Sequence, residues 1–260
     1  MCLLAHTSND LSEVHHGKIQ YPPNHDRSGL RNTKHKAFGL LNLGHRQNLP
    51  ETASVANYEG NGRLNAPSAS RNTMPIVELV RKTALKSGKA LEIASGTGQH
   101  IVKLASALPH LCWQPSDVDE ARIKSIRSWS DDEHLKNLKS PCLLDATEEG
   151  WASEHRDQDL ILLVNLLHLI STRETKILVK EMSKALVSRG LSIIYGPFMR
   201  SGKLISKGDM EFHHSLISTD PNLGYKNDID MLKLYDEAGL IHLSTENMPA
   251  NNLAFILQKP

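Results

Sequence analysis

Residues 91–100, LEIASGTGQH, decide the fold. Ala90, Leu91 and Ile93 make a short apolar run of the kind that fills a buried strand. Gly96 and Gly98 follow, where strand gives way to helix, and Glu92 places a carboxylate on the strand itself. Glycine lets bare backbone approach a ligand, and the helix behind it offers unpaired amides. Strand, glycine turn and helix open a doubly wound α/β domain, in which the next strand ends on a second acid about twenty residues on. The segment LCWQPSDVDE, residues 111–120, supplies it as Asp117.

Outward from this unit, strands and helices alternate. Ile101, Leu104, Ala105 and Leu108 form one apolar helix face. The pattern predicts strands near 90–93, 111–115, 142–144, 160–166 and 191–195. Helices are expected over 120–129, capped by Asp119, and after Ser171, which has capping-box spacing to Glu174. Gly190 reads as the stop of the latter helix. An earlier helix is expected to start between Arg71 and Pro75, with the proline in its first turn. Beyond the glycine-containing loop 196–208, helices are predicted near 210–217 and 229–238. Strands near 241–245 and 254–258 flank the turn NMPANN. No helix separates these two, so the last strand runs antiparallel in an otherwise largely parallel sheet covered on both faces.

The 260 residues suffice for one α/β domain and an appendage. Residues 1–66 are rich in His, Asn, Gly and basic residues without a sustained apolar period, which predicts a disordered N-terminal extension. The folded domain is expected over 67–260. Thirty basic against 29 acidic residues gives a formal charge of +1, which offers no argument for nucleic acid or an anionic membrane. No apolar stretch is long enough to span a bilayer, and the first residues lack the pattern of a secretory signal. Three cysteines without CxxC spacing argue against a disulfide framework or a cysteine zinc site. An intracellular, cytoplasmic location is expected, with no metal.

Three acids fall at successive strand ends. Asp117 suits the two hydroxyls of a ribose, and Asp145 suits an adenine amino group or an ordinary turn. Glu92, on a buried strand, needs a partner: a donor or cationic centre of a ligand, or an amide of the glycine turn. Gly96 and Gly98 would let that ligand approach. Ala94 and Ile101 stand at the first and third glycine positions of the dinucleotide fingerprint G-x-G-x-x-G, which argues against a nicotinamide cofactor.

The segment E-x-A-S-G-T-G resembles motif I of class I S-adenosylmethionine-dependent methyltransferases. More narrowly, the chain resembles the methyltransferase-like protein 26 family in SASRNTMPI, LEIASGTGQH, WQPSDVD, NLLH, IYGPF and MPANN, spread over residues 68–260. The resemblance implies an α/β, Rossmann-like class I methyltransferase fold: a mostly parallel seven-stranded sheet, an antiparallel last strand and helices on both faces. It implies S-adenosyl-L-methionine as cofactor, with Glu92, Gly96, Gly98, Asp117 and Asp145 matching its binding positions and Asn165 near the transferable methyl. The chain departs from the family in residues 1–66 and in ISTRET after NLLH, where relatives often carry a proline-tryptophan pair.

Substrate-side candidates are Arg71, Asn72, Asn165, His168, Tyr195, Asn251 and Asn252. His168 suits a general base, or a backbone carbonyl at a helix start. Asn251 and Asn252 suit a polar substrate or the turn alone. The expected function is a methyltransferase acting on a small-molecule or peptide-borne nucleophile. The alternative is a non-catalytic binding module that keeps the fold and the ligand site.

Overall fold

The computed structural model describes residues 49–50, 53, 55–83 and 85–260. Most of the expected extension therefore lies outside the described residues. Its last part carries a hairpin of β1 (Asn57–Gly60) and β2 (Arg63–Asn65). The sequence reading has no hairpin there because its partners lie about sixty residues away on helix α3 (Glu120–Glu133). The Leu64 amide donates to Ser125 Oγ at 2.9 Å, the Trp129 indole donates to the Leu64 carbonyl at 3.0 Å, and the Arg63 guanidinium lies 4.6 Å from the Trp129 ring.

The central sheet contains β3 (Gly88–Ile93), β4 (Leu111–Asp117), β5 (Cys142–Leu143), β6 (Gln158–Val164), β7 (Leu186–Met199), β9 (Ile241–Asn247) and β10 (Asn252–Gln258). Their order is β5-β4-β3-β6-β7-β10-β9, and a two-residue β8 (Lys226–Asn227) pairs with the end of β7. The strands β3 to β7 pair in parallel, and β10 runs antiparallel to both neighbours, as expected.

Alternation along the strands builds two cores. Leu91, Ile93, Ile161 and Leu163 point to one face, covered by α4 (Thr172–Ala185) and α6 (Asp228–Glu237). Ala90, Leu160, Leu162 and Tyr195 point to the other, covered by α1 (Pro67–Lys82), α2 (Gln99–Ala107) and α3. Each fully buried large aliphatic side chain contributes about 1.5–3 kcal/mol. Glu92 shares the second face and is 1% exposed, a carboxyl group within an apolar layer.

Capping agrees with the sequence. Asp119 accepts from Ala121 N and Arg122 N, and Ser171 and Glu174 bond reciprocally. Two expectations are corrected. Helix α1 starts at Pro67, so Pro75 lies inside it and offers no N–H to the Arg71 carbonyl one turn back. Gly190 does not follow the end of α4; it lies within β7, where the register with β6 shifts. A Cβ there would stand 2.9 Å from the Val187 carbonyl oxygen and 3.0 Å from that of Gln158, so close backbone approach requires the glycine. Among the described residues, no helix is long and apolar enough to cross a membrane.

Candidate active site

The chain leaves β3 towards β4 and β5 on one side of the sheet, and β6 and β7 fill the other. Ligands of open α/β sheets bind at such a reversal, beyond the carboxyl ends of the strands. A cavity of about 610 Å³ lies there, within the roughly 300–1,000 Å³ range of small-molecule sites. The ends of β3, β4 and β5 line one half. The ends of β6 and β7, helix α5 (Lys207–Thr219) and the β9–β10 turn line the other.

The glycine turn is left-handed at three residues: Ala94 (φ 54°), Gly96 (φ 61°) and Gly98 (φ 94°). The two glycines do different work. A Cβ on Gly96 would meet nothing closer than the Ala94 carbonyl oxygen at 4.0 Å, and Gly96 lines the cavity. A Cβ on Gly98 would stand 2.9 Å from the Ile126 Cα, and Gly98 does not line the cavity. Gly98 thus serves the packing of α3 against the turn, a role that only the long-range contact reveals.

Asp117 ends β4 facing this turn and is 2% exposed. Its Oδ2 accepts the Gly96 amide at 2.8 Å and its Oδ1 the Asp119 amide at 3.0 Å. Burial pushes its pKa up to about 6, opposed by those two amides and by the Arg122 charge. The Gly96 amide therefore goes to Asp117 and not to Glu92. Neither Glu92 carboxyl oxygen has a hydrogen-bond partner. Burial pushes Glu92 up to about 8, the nearby Ser95 hydroxyl draws it back, and the Asp117 charge raises it further. Glu92 does not line the cavity; it lies beneath the turn. Asp145 does line it. Its Oδ1 closes a turn by accepting Thr147 N (2.9 Å) and Thr147 Oγ1 (2.6 Å), while Oδ2 makes no hydrogen bond.

In the other half, Asn165 follows β6 in a left-handed conformation (φ 57°), its amide bonded to the Tyr195 carbonyl at 2.9 Å. The buried Tyr195 hydroxyl meets no hydrogen-bond geometry. Burial raises its pKa, and the Asn72 and Asn252 carboxamides beside it draw it back. His168 is buried on a 3-10 turn (Leu167–Leu169), and its Nδ1 has no partner. Burial, aided by the Lys226 charge, pulls it down to about 3, so it is neutral near pH 7 and a weak base. Arg71 lines the cavity, exposed and without a polar partner. Asn251 (φ 60°) does not line it. It serves the turn, and its Nδ2 bonds Asp209 at 3.1 Å, tying the turn to the capping box of α5.

Two groups of residues were not foreseen. Gln99 joins α1 to the glycine turn: its Oε1 accepts Ala66 N (2.6 Å) and Thr97 Oγ1 (2.8 Å), and its Nε2 donates to Ser70 Oγ (2.9 Å). Beside it, His100 Nε2 and Asn72 Oδ1 lie 2.7 Å apart, and burial pulls His100 down to about 4, which keeps it neutral. Phe212 and Tyr225 line the half of the cavity beyond β6 and β7, from segments read as loop or short helix. The capping-box pair Ser206 and Asp209 was the sequence signal for α5. Among the described residues no His, Cys, Asp and Glu cluster suits a metal ion.

Residues 63–259 match the family model described as "Protein of unknown function (DUF938)". Among solved structures, the chain is similar to a Nostoc punctiforme protein assigned as an O-methyltransferase (18% identity, TM-score 0.65), covering 74% of this chain and 57% of that one. It is similar to an O-methyltransferase family protein of Burkholderia thailandensis (16%, 0.62; 74% and 57%). It is also similar to human N-acetylserotonin methyltransferase in complex with S-adenosylmethionine (11%, 0.60; 74% and 52%). The fold is that of the class I methyltransferases, and the chain spans little more than half the length of these structures.

Proposed function

This chain belongs to the DUF938 family, and we propose that it is an S-adenosylmethionine-dependent methyltransferase. The observation that carries the reading is the Asp117 carboxylate, held by the Gly96 amide at 2.8 Å beside a glycine whose missing Cβ leaves the cavity open. The residues present fit the cofactor. Asp117 would take the ribose hydroxyls and Asp145 Oδ2 the adenine amino group. Gly96 would let the ligand lie against backbone, while Glu92, which does not line the cavity, stands outside this contact set.

When bound, S-adenosylmethionine supplies an electrophilic methyl group on a sulfonium. The residues of the other half hold the acceptor against it, and orientation within a closed site carries most of the rate advantage. Asn72, held by His100, and Asn165 and Asn252 offer neutral hydrogen-bonding groups for that purpose. The narrower kinship with the methyltransferase-like protein 26 family is part of this reading, supported by WQPSD and MPANN, as is an intracellular location. The neutral, weakly basic His168 favours a second reading, a binding module that holds the cofactor without turnover.

Calorimetric titration with S-adenosylmethionine and S-adenosylhomocysteine tests the reading. Saturable binding of both, lost by at least tenfold in Asp117→Ala, supports it. No binding of either at high micromolar concentration overturns it.

A further inference from the structure

The acceptor-side half of the cavity presents a cluster of three rings. His168, Phe212 and Tyr225 all line it and meet edge to face, with ring centroids 5.6 Å (His168–Phe212), 6.3 Å (His168–Tyr225) and 6.1 Å (Phe212–Tyr225) apart. Hydrogen bonds set the backbone of His168 and the position of Tyr225 before any ligand arrives, and Phe212 packs against both rings. The Gly224 amide donates to the His168 carbonyl at 3.0 Å, and the Tyr225 amide donates to His213 Nδ1 at 3.0 Å. The Tyr225 hydroxyl donates to Asp209 Oδ1 at 3.3 Å. Rings fixed this way offer apolar area at little entropic cost.

An aromatic cluster can also cage a cation. The charges oppose that here. The carboxylates lining the cavity, Asp117 and Asp145, lie at the ends of β4 and β5. Asp209 does not line it and is engaged by Ser206, Tyr225 and Asn251. The charge felt at His168 is the positive one of Lys226, and Arg71 adds an unpaired cation to the wall. Polar groups remain for one hydroxyl. The buried His168 Nδ1 and Tyr195 hydroxyl lack partners, and the carboxamides of Asn72 and Asn252 flank the tyrosine.

We propose that the methyl acceptor is a small aromatic alcohol, its ring against His168, Phe212 and Tyr225 and its hydroxyl among these neutral polar groups; the O–CH3 bond would form as the sulfonium S–CH3 bond breaks, leaving S-adenosylhomocysteine, with the hydroxyl proton passing to water. The proposal rests on the cofactor reading above. It is tested by saturating the full chain with S-adenosylhomocysteine and titrating two probes with the same ring system, 2-naphthol and the ammonium form of 2-naphthylmethylamine. We expect 2-naphthol to bind at least tenfold more tightly than the ammonium. Phe212→Ala should weaken 2-naphthol at least fivefold, and Phe212→Leu less, while S-adenosylhomocysteine affinity stays within twofold. Equal or tighter binding of the ammonium, failure of both probes, or indifference to Phe212 overturns the proposal while leaving the cofactor reading intact. Failure of S-adenosylhomocysteine to bind overturns the cofactor reading, and the acceptor proposal with it.

Discussion

The Asp117 carboxylate accepts the Gly96 amide at 2.8 Å, so the end of β4 and the turn after β3 form one unit. The same oxygens that hold the turn face the cavity in which we place a ribose. Loss of this carboxylate is therefore expected to cost both ligand affinity and order in the turn.

The two glycines of the turn should separate in mutation. Alanine at Gly96 keeps a left-handed residue, costing about 1–2 kcal/mol, and meets no close neighbour. Gly96→Ala should thus stay folded but lose at least tenfold in S-adenosylhomocysteine affinity. Gly98→Ala adds a 2.9 Å contact with the Ile126 backbone to the same strain, and about 1–3 kcal/mol for overpacking. Its melting temperature should fall further than that of Gly96→Ala. Equal melting temperatures for the two variants contradict this division of labour.

Removing Gln99 should loosen the start of α1. Gln99→Ala leaves the buried Thr97 hydroxyl and the Ala66 amide without their acceptor, at a cost of about 1–3 kcal/mol. Hydrogen exchange should rise over residues 66–72 before it rises in the sheet. Unchanged protection there would show that Gln99 does not hold the helix.

Glu92 gives stability a pH dependence of definite sign. Its folded pKa, about 8, lies above its ordinary value, so the folded state binds the extra proton. Its contribution is fully present below about pH 4.5 and is lost as pH rises towards 8, by at most about 1.4 kcal/mol per pH unit. Asp117, raised to about 6, acts in the same direction but only below pH 6. His100 and His168, lowered to about 4 and 3, act oppositely below pH 6.5. The window from pH 6.5 to 8 thus isolates Glu92. There the wild-type melting temperature should fall with pH and that of Glu92→Gln should be flatter. Parallel curves contradict the burial of an unpaired Glu92.

His168 should stay neutral where an exposed histidine is charged. Nitrogen-15 spectra of its ring at pH 5.5 should show the neutral form. A charged ring at that pH would restore it as a base working near neutrality.

Much of this was readable because it is local. Short apolar runs announce β3 and β6, and Asp119 and the Ser171–Glu174 pair announce their helix starts, since composition and capping act within a few residues. The acids at the ends of β4 and β5 follow from topology. What was hidden depends on distant partners. The β1–β2 hairpin needs Ser125 and Trp129, Gly98 needs Ile126, Gly190 needs Gln158, and the first turns of α1 need Gln99. Pro75 misled because a proline is expected at a helix start, whereas here tertiary contacts carry the helix through it. Asn251, equally readable as a ligand residue or a turn residue, finds a partner in Asp209, 42 positions away, which no local pattern announces.

The central claim is that this cavity holds the nucleoside end of S-adenosylmethionine against the β3 turn. Titrating S-adenosylhomocysteine into nitrogen-15-labelled protein tests it most directly. The account predicts saturable shifts largest at the amides of residues 94–97, 117–119 and 145–147. Absence of saturable shifts, or shifts confined to residues outside this half of the cavity, would contradict it.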